Sequence, residues 1–307
     1  MNEEQKRARR WRIIAAFASI YTIWGSTYLA IRYAVQTMPP FLMATARFIV
    51  SGIILYAYSR WRGTPPPSRR QWRNATIAGA FLLVGGNGAV VWAEQYVPSG
   101  LTALLVSVLP FWLVIIDWVR PNGVRPRPAV VIGIILGLVG IYVLVNPAAS
   151  SGQTAVRPLG AIVLILGSLS WALGSFFSRD ADLPASGIMR TGVEMIAGGF
   201  LLFVLSVASG ELRGFDVHRV SHASVAGLLY LITFGALLGF TSFIWLLDKV
   251  TPAKVGTYAY VNPVVAVLLG WLIAGESLSA RTVVAAAIVI GAVALITTTR
   301  SAVSSGG

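Results

Sequence analysis

The stretch whose reading decides the fold is Asp248–Glu276, DKVTPAKVGTYAYVNPVVAVLLGWLIAGE. From Val255 to Ala274 it holds about 20 residues, the length of a helix that crosses a hydrocarbon core. No charge interrupts it after Lys254. Thr257, Tyr258, Tyr260 and Asn262 lie within it, and Pro263 falls near its middle. A proline there removes one backbone donor and crowds the carbonyl of Ala259. In hydrocarbon a freed carbonyl must find another partner. The segment is therefore expected to span and to hold polar groups and a backbone break at mid-depth. Two readings follow: a kinked helix with satisfied polar groups, or one wall of a solute site.

An echo lies earlier, at Glu94–Trp118, EQYVPSGLTALLVSVLPFWLVIIDW. Glu94 precedes Pro98 by four residues, as Asp248 precedes Pro252, and Pro110 follows as Pro263 does. The echo points to a duplicated chain. Composition agrees with a membrane setting: 56% of the 307 residues are hydrophobic and 11% charged, against about 25% charged in globular proteins. There are no cysteines, which excludes disulfides and thiolate metal sites. The net charge of +13 does not indicate nucleic acid, because the basic residues lie between apolar spans rather than on one soluble domain.

Ten spans are expected, at about 13–35, 42–59, 74–95, 99–118, 128–146, 158–178, 186–208, 224–247, 254–274 and 280–298. The first follows Lys6, Arg7, Arg9, Arg10 and Arg12 and is too long for a signal-peptide core. With the N-terminus inside, eighteen Lys and Arg fall on the inner side; Arg32, Arg157, Arg213, Arg219 and Arg281 fall outside, and Arg47 lies within a span. That bias places both termini in the cytoplasm. Trp11, Trp61, Trp72 and Trp118 at inner span ends read as an interfacial belt.

The duplication runs in order. Gly25-Ser26 matches Gly174-Ser175, Arg47–Gly52 matches Glu194–Gly199, Asn87 matches Thr241, and Gly140 matches Gly291. Five spans per copy is an odd number, so the second copy enters from the opposite face. The expectation is an all-α integral membrane protein of two inverted five-helix repeats, 1–149 (with a cytoplasmic tail over 1–12) and 150–307, with its site at their interface.

With WGSTY in the first span and TPAKVGTYAYVNPVVAVLLGWLIAGE closing the second copy, the chain resembles the EamA family of the drug/metabolite transporter superfamily. The resemblance covers about Ile13 to Thr299, and within the family it is to bacterial amino-acid exporters of the YddG type. Gly275-Glu276 keeps the glutamate common after span nine, whereas RPNGVRP after span four carries no acid. The resemblance implies a secondary transporter of the bacterial inner membrane that exports neutral or aromatic amino acids.

The mid-depth residues point the same way. Candidate substrate ligands are Trp24, Thr27, Tyr28, Asn87, Ser107, Trp171, Ser175, Tyr258 and Asn262. Aromatic walls suit apolar side chains and ammonium groups. The carbonyls of Val106 and Ala259, beside the proline breaks, would accept from an ammonium. Pro110, Pro263, Gly85 and Gly86 are candidate hinges; three glycines around Asn87 indicate a bend or a close approach. Arg47 and Glu194, equivalent in the two copies, are the intramembrane charges, either binding the two ends of an amino acid or tied to neighbouring helices. Glu94, Asp117 and Asp248 read as solvated or gating groups at span ends. Gly133/Gly137 and Gly235/Gly239 read as close packing. His218 and His222 lack further ligands, so no metal is expected. No nucleotide-binding motif or catalytic constellation is present; no cofactor and no enzymatic activity is expected, and the partners are a small molecule and lipid, around a monomer. The alternatives are a carrier of drugs, quaternary amines or other metabolites, then a channel or a lipid enzyme.

Overall fold

The computed structural model describes residues 3–121, 125–145, 158–247, 249–250, 255 and 257–304. Arg157, Asp248, Pro252, Lys254 and the 149/150 repeat boundary lie outside the described residues. Among those described there is no strand; the chain is a bundle of helices. They are α1 (Glu3–Ala34), α2 (Pro40–Trp61), α3 (Arg69–Gly79), a first π-helix (Ala80–Asn87), α4 (Gly88–Ala93), α5 (Ser99–Val106), α6 (Leu109–Val119) and α7 (Pro128–Val145). The second half repeats the order with α8 (Pro158–Asp180), α9 (Gly187–Ala208), α10 (His222–Tyr230), a second π-helix (Leu231–Leu238), α11 (Gly239–Leu247), α12 (Tyr258–Ala274) and α13 (Ala280–Ser304).

Among the described residues seven stretches are long and apolar enough to cross a bilayer: Arg7–Ala34, Pro40–Trp61, Arg69–Ala93, Ser99–Val119, Pro158–Asp180, Gly187–Ala208 and His222–Phe243. Shorter apolar helices lie at 128–144, 258–274 and 280–296. The outside of the bundle is greasy. On α7 alone Val131, Ile132, Ile135, Leu136, Leu138, Val139 and Tyr142 are exposed. In water such a face would mark an interaction surface or an aggregation liability; here it faces lipid. Trp11, Trp61 and Trp118 are also exposed, whereas Trp72 packs on Tyr56 with ring centroids 6.3 Å apart.

The packing carries the duplication in three dimensions. α2 lies along α9, α7 along α13, α1 against α10–α11 and α8 against the first π-helix and α4. Each is a contact between the halves, and each has its counterpart under exchange of the halves. Small residues set the approaches. A Cβ on Gly52 would come within 2.9 Å of the Gly192 carbonyl oxygen, and one on Gly79 within 2.8 Å of the Gly198 Cα. The Gly133, Gly137 and Gly140 series on α7 meets Ile296, the Phe111 ring and Val289. Both GxxxG pairs therefore serve packing inside the chain.

Two expectations about backbone breaks come out differently. Pro110 does not kink a continuous helix. α5 ends at Val106, Ser107 and Val108 turn, and Pro110 is the second residue of α6, where its missing N–H has no intrahelical role. Pro263 does lie inside a continuous helix, α12, and is buried.

Candidate functional site

Trp24 stands at the centre of an aromatic group drawn from three helices. Its ring lies 5.0 Å from that of Tyr258, edge to face, 5.4 Å from Phe240 and 5.2 Å from Phe243. Its Nε1 donates to the Gly235 carbonyl at 3.2 Å. That approach needs the glycines of the second π-helix region, since a Cβ on Gly239 would sit 2.4 Å from Trp24 Nε1. Sequence reasoning named Trp24 and Tyr258 but missed Phe240 and Phe243. The signal was present: aromatics three residues apart, just after Gly239, share one helix face.

Trp171 is not part of this group. It packs on Gly86 of the first π-helix, whose added Cβ would meet its Cε3 at 2.7 Å. Gly85 is approached by Ser170, whose Oγ donates to the Phe81 carbonyl at 2.8 Å. In each half, then, a tryptophan of the first helix rests on a glycine in or beside the π-helix of the other half. Such π-turns replace i→i+4 bonds with a wider ring and recur at functional sites. Asn87 closes the first π-helix. Three predicted hydroxyl ligands are tied to their own helices: Thr27 Oγ1 donates to Trp24 O at 2.6 Å, Ser107 Oγ to Leu104 O at 2.7 Å, and Ser175 Oγ to Trp171 O at 2.7 Å. Asn262 is buried, and its Oδ1 has no hydrogen-bond partner among the described residues. The Ser26 and Tyr230 hydroxyls bond across α1 and α10 at 2.6 Å.

The intramembrane charges part company. Glu194 accepts from Ser178 Oγ at 2.5 Å and is tied to α8. Arg47 is buried on α2 with its guanidinium 4.8 Å over the Phe48 ring. The crossing of α2 and α9 explains the separation. Gly199 meets Phe48 and Ile49, so Arg47 lies level with residues some six positions beyond Glu194, about 9 Å along the axis. Glu94, expected at a solvated span end, is instead only 4% exposed.

Two further glutamates organise the Arg32 end of the bundle. Gly275 adopts φ +64° and stops α12; Glu276 then turns back onto the start of α5. Its carboxylate accepts from Ser99 N and Ser99 Oγ, both at 2.7 Å, and from Gly100 N at 3.0 Å, and pairs with Arg32 Nη1 at 3.0 Å. Gly210, at φ +79°, does the same for Glu211. That carboxylate accepts from Phe41 N at 3.0 Å, Leu42 N at 2.9 Å and Ser206 Oγ at 2.7 Å. A carboxylate on orphan amides at a helix N-terminus satisfies both the hydrogen bonds and the dipole. Beside Glu211 opens a cleft of about 380 Å³ lined by Pro40, Trp92, Tyr96 and Arg213, among others. Among the described residues no group of three or more His, Asp or Glu is placed to hold a metal.

A helical membrane bundle with paired halves and a polar-aromatic interior defines the class. The chain belongs to the EamA-like transporter family, which matches residues 10–146 and again 158–298. It is a membrane transporter rather than an enzyme, acting on a small molecule within lipid. It is 39% identical over 93% of its length to 90% of a protein of Escherichia coli K12 named "Uncharacterized inner membrane transporter YedA". It is 25% identical to Protein PecM of Dickeya dadantii, covering 89% of this chain and 88% of that one. A solved crystal structure, 20% identical, superposes with a TM-score of 0.61 over 94% of this chain and 97% of its own, which shows the shared fold.

Proposed function

We propose that the protein is a secondary exporter of neutral and aromatic amino acids in the inner membrane of a bacterium. It has ten spans, both termini in the cytoplasm and two inverted repeats that meet near residues 149–150. The coupled halves alternate access to a site lined by Trp24, Thr27, Tyr28, Asn87, Ser107, Trp171, Ser175, Tyr258 and Asn262. Pro263, Gly85 and Gly86 mark the backbone that moves, whereas Pro110 only opens α6. Inner-membrane placement is supported by the name of the E. coli relative.

The observation that carries the substrate class is the aromatic group around Trp24, with the unpartnered Asn262 amide oxygen on the adjoining turn of α12. An edge-to-face pair is worth about 0.5–1.5 kcal/mol beyond its area, enough to favour an aromatic side chain several-fold. A sugar phosphate would call for clustered basic groups, and this interior offers Arg47.

Proteoliposomes holding the purified chain test the reading. Phe, Trp and smaller neutral amino acids should exchange with saturation and counterflow. Trp24→Ala should weaken Phe and Trp more than Thr. The reading fails if neutral amino acids neither cross nor compete while a quaternary amine or another metabolite does.

A further inference from the structure

Each half ties its first helix to the other half by an ion pair. At one end of the bundle Arg32, in the last turn of α1, meets Glu276, which follows α12, at 3.0 Å. At the other end Asp180, the last residue of α8, meets Arg120, which follows α6. α1 and α8 are equivalent in the two copies, and so are α6 and α12. The pairs therefore correspond under exchange of the halves, with the signs of the charges reversed. Each joins one half to the other, so neither end can part without breaking its pair.

The two pairs are unequal. The Glu276 side chain is 9% exposed, and its carboxylate also accepts from Ser99 N, Ser99 Oγ and Gly100 N. Asp180 is 43% exposed and Arg120 35%. Among the described residues the Asp180 carboxylate accepts from Arg120 and from its neighbour Arg179, the latter at 2.8 Å. An exposed ion pair is screened by salt and contributes little. A carboxylate set into the orphan amides of a helix start keeps both its bonds and its favourable dipole.

A second carboxylate reinforces the Arg32 end. Glu211, beyond α9, accepts from Phe41 N, Leu42 N and Ser206 Oγ and so joins α9 to the start of α2. The same turn follows α2: Gly63 has φ +84° where Gly210 has +79°. Thr64 N donates to Ser59 O at 3.0 Å as Glu211 N donates to Ser206 O at 3.1 Å. Threonine, however, stands in the place of the glutamate. Ser59 is buried, and its Oγ, the counterpart of the Ser206 hydroxyl, has no hydrogen-bond partner among the described residues. Other ties treat the ends alike: Thr37 Oγ1 donates to Ser224 Oγ at 2.8 Å at one end, and Asn74 Nδ2 to Asp182 O at 2.9 Å at the other.

We infer that Arg120 and Asp180 form the gate of one end, that Arg32–Glu276 backed by Glu211 forms the latch of the other, and that the carrier rests with its Arg32 end latched and its Arg120 end free to open. The Lys/Arg bias makes the Arg120 end the inner one, so the resting carrier takes its solute from the cytoplasm. The assignment rests on the alternating-access reading and names the residues that set its bias. A solute that opens the Arg32 end must bind that open state better by at least the strength of the latch.

The test uses the full chain in proteoliposomes. The chain has no cysteine, so spin labels can be placed in pairs and their separations read by pulsed EPR. Trp118→Cys with Ala185→Cys spans the Arg120 end, and Gln36→Cys with Leu278→Cys spans the Arg32 end; all four positions are exposed. Raising NaCl from about 10 mM to 1 M shortens the Debye length from about 30 to 3 Å. The open-to-closed ratio at the Arg120 end should then rise about two- to fivefold, the scale of an exposed pair, while the Arg32 end stays closed. Asp180→Asn should give that opening at low salt and abolish the salt response. Arg120→Asp combined with Asp180→Arg should restore both. Glu276→Gln should open the Arg32 end instead. Thr64→Glu supplies the missing carboxylate and covers the case in which Glu276→Gln does not fold; it should hold the Arg120 end closed at both salt concentrations. Asp180→Asn distances equal to wild type at both salts, or an Arg32 end that opens with salt while the Arg120 end stays shut, would overturn the gate and latch. Saturable phenylalanine counterflow in the same vesicles would then leave alternating access standing. A wild type with no saturable exchange of any solute would remove both.

Discussion

Replacing Glu276 with alanine should destabilise the bundle more than any change at its ion-pair partner. In the wild type one carboxylate satisfies the backbone amides of Ser99 and Gly100 and the Ser99 hydroxyl, and it pairs with Arg32. Ser99 is fully buried, so the alanine variant leaves two buried amides without an acceptor. Each such loss costs about 1–3 kcal/mol, and the helix-dipole contribution adds about 0.3–1 kcal/mol. The total is about 2–7 kcal/mol. The Arg32 side chain is 32% exposed, so its pairing is screened and Arg32→Ala should cost less than about 1 kcal/mol. Glu276→Gln keeps one acceptor and should fall between. Unfolding in detergent, followed by tryptophan fluorescence, measures the order. The reasoning is refuted if Glu276→Ala unfolds with the wild type, or if Arg32→Ala costs more than Glu276→Ala, since the ion pair and not the helix cap would then hold α12 to α5.

Glu211→Ala should behave like Glu276→Ala in the same unfolding assay, because it strips acceptors from Phe41 N and Leu42 N at the start of α2. Gly137→Ala should cost about 1–3 kcal/mol by overpacking, since its Cβ would fall 1.9 Å from the Phe111 Cζ; an unfolding midpoint equal to wild type would show that the ring moves freely aside. Pro110→Ala should leave folding and transport near wild type, because the proline already sits at a helix start, whereas Pro263→Ala should lower transport at constant abundance; flux assays in which Pro110→Ala is the more damaging would reverse the assignment of the hinge. For orientation, His218→Cys should react with an impermeant thiol reagent on intact cells and Pro66→Cys only after permeabilisation, both positions being exposed; the opposite pattern would place the termini outside.

Span-length apolar runs, the prolines and glycines that interrupt them, and a duplicated order of motifs were all legible in the chain, because a bilayer demands about 20 apolar residues per helix and leaves few other ways to satisfy the backbone. Trp24 and Tyr258 were legible too, as aromatics at mid-depth. Other features depended on contacts between distant elements. Glu94 looked like a solvated or gating span end because local sequence shows only its distance from Pro98; in the folded chain it is buried. Arg47 and Glu194 were legible as equivalent charges of the two copies, but what each one touches was not: the axial register of α2 on α9, set where Gly199 meets Phe48 and Ile49, holds them apart, and Glu194 is tied to Ser178. Pro110 looked like a kink because a proline reads alike inside a helix and at its start; the difference lies in whether the preceding turn stays helical, and at Ser107–Val108 it does not. The chain by itself determined where its apolar segments lie, a property of local composition. The tertiary structure alone decided which charges were buried, which were joined and which were left open, because a charge inside a membrane protein takes its environment from helices remote in sequence.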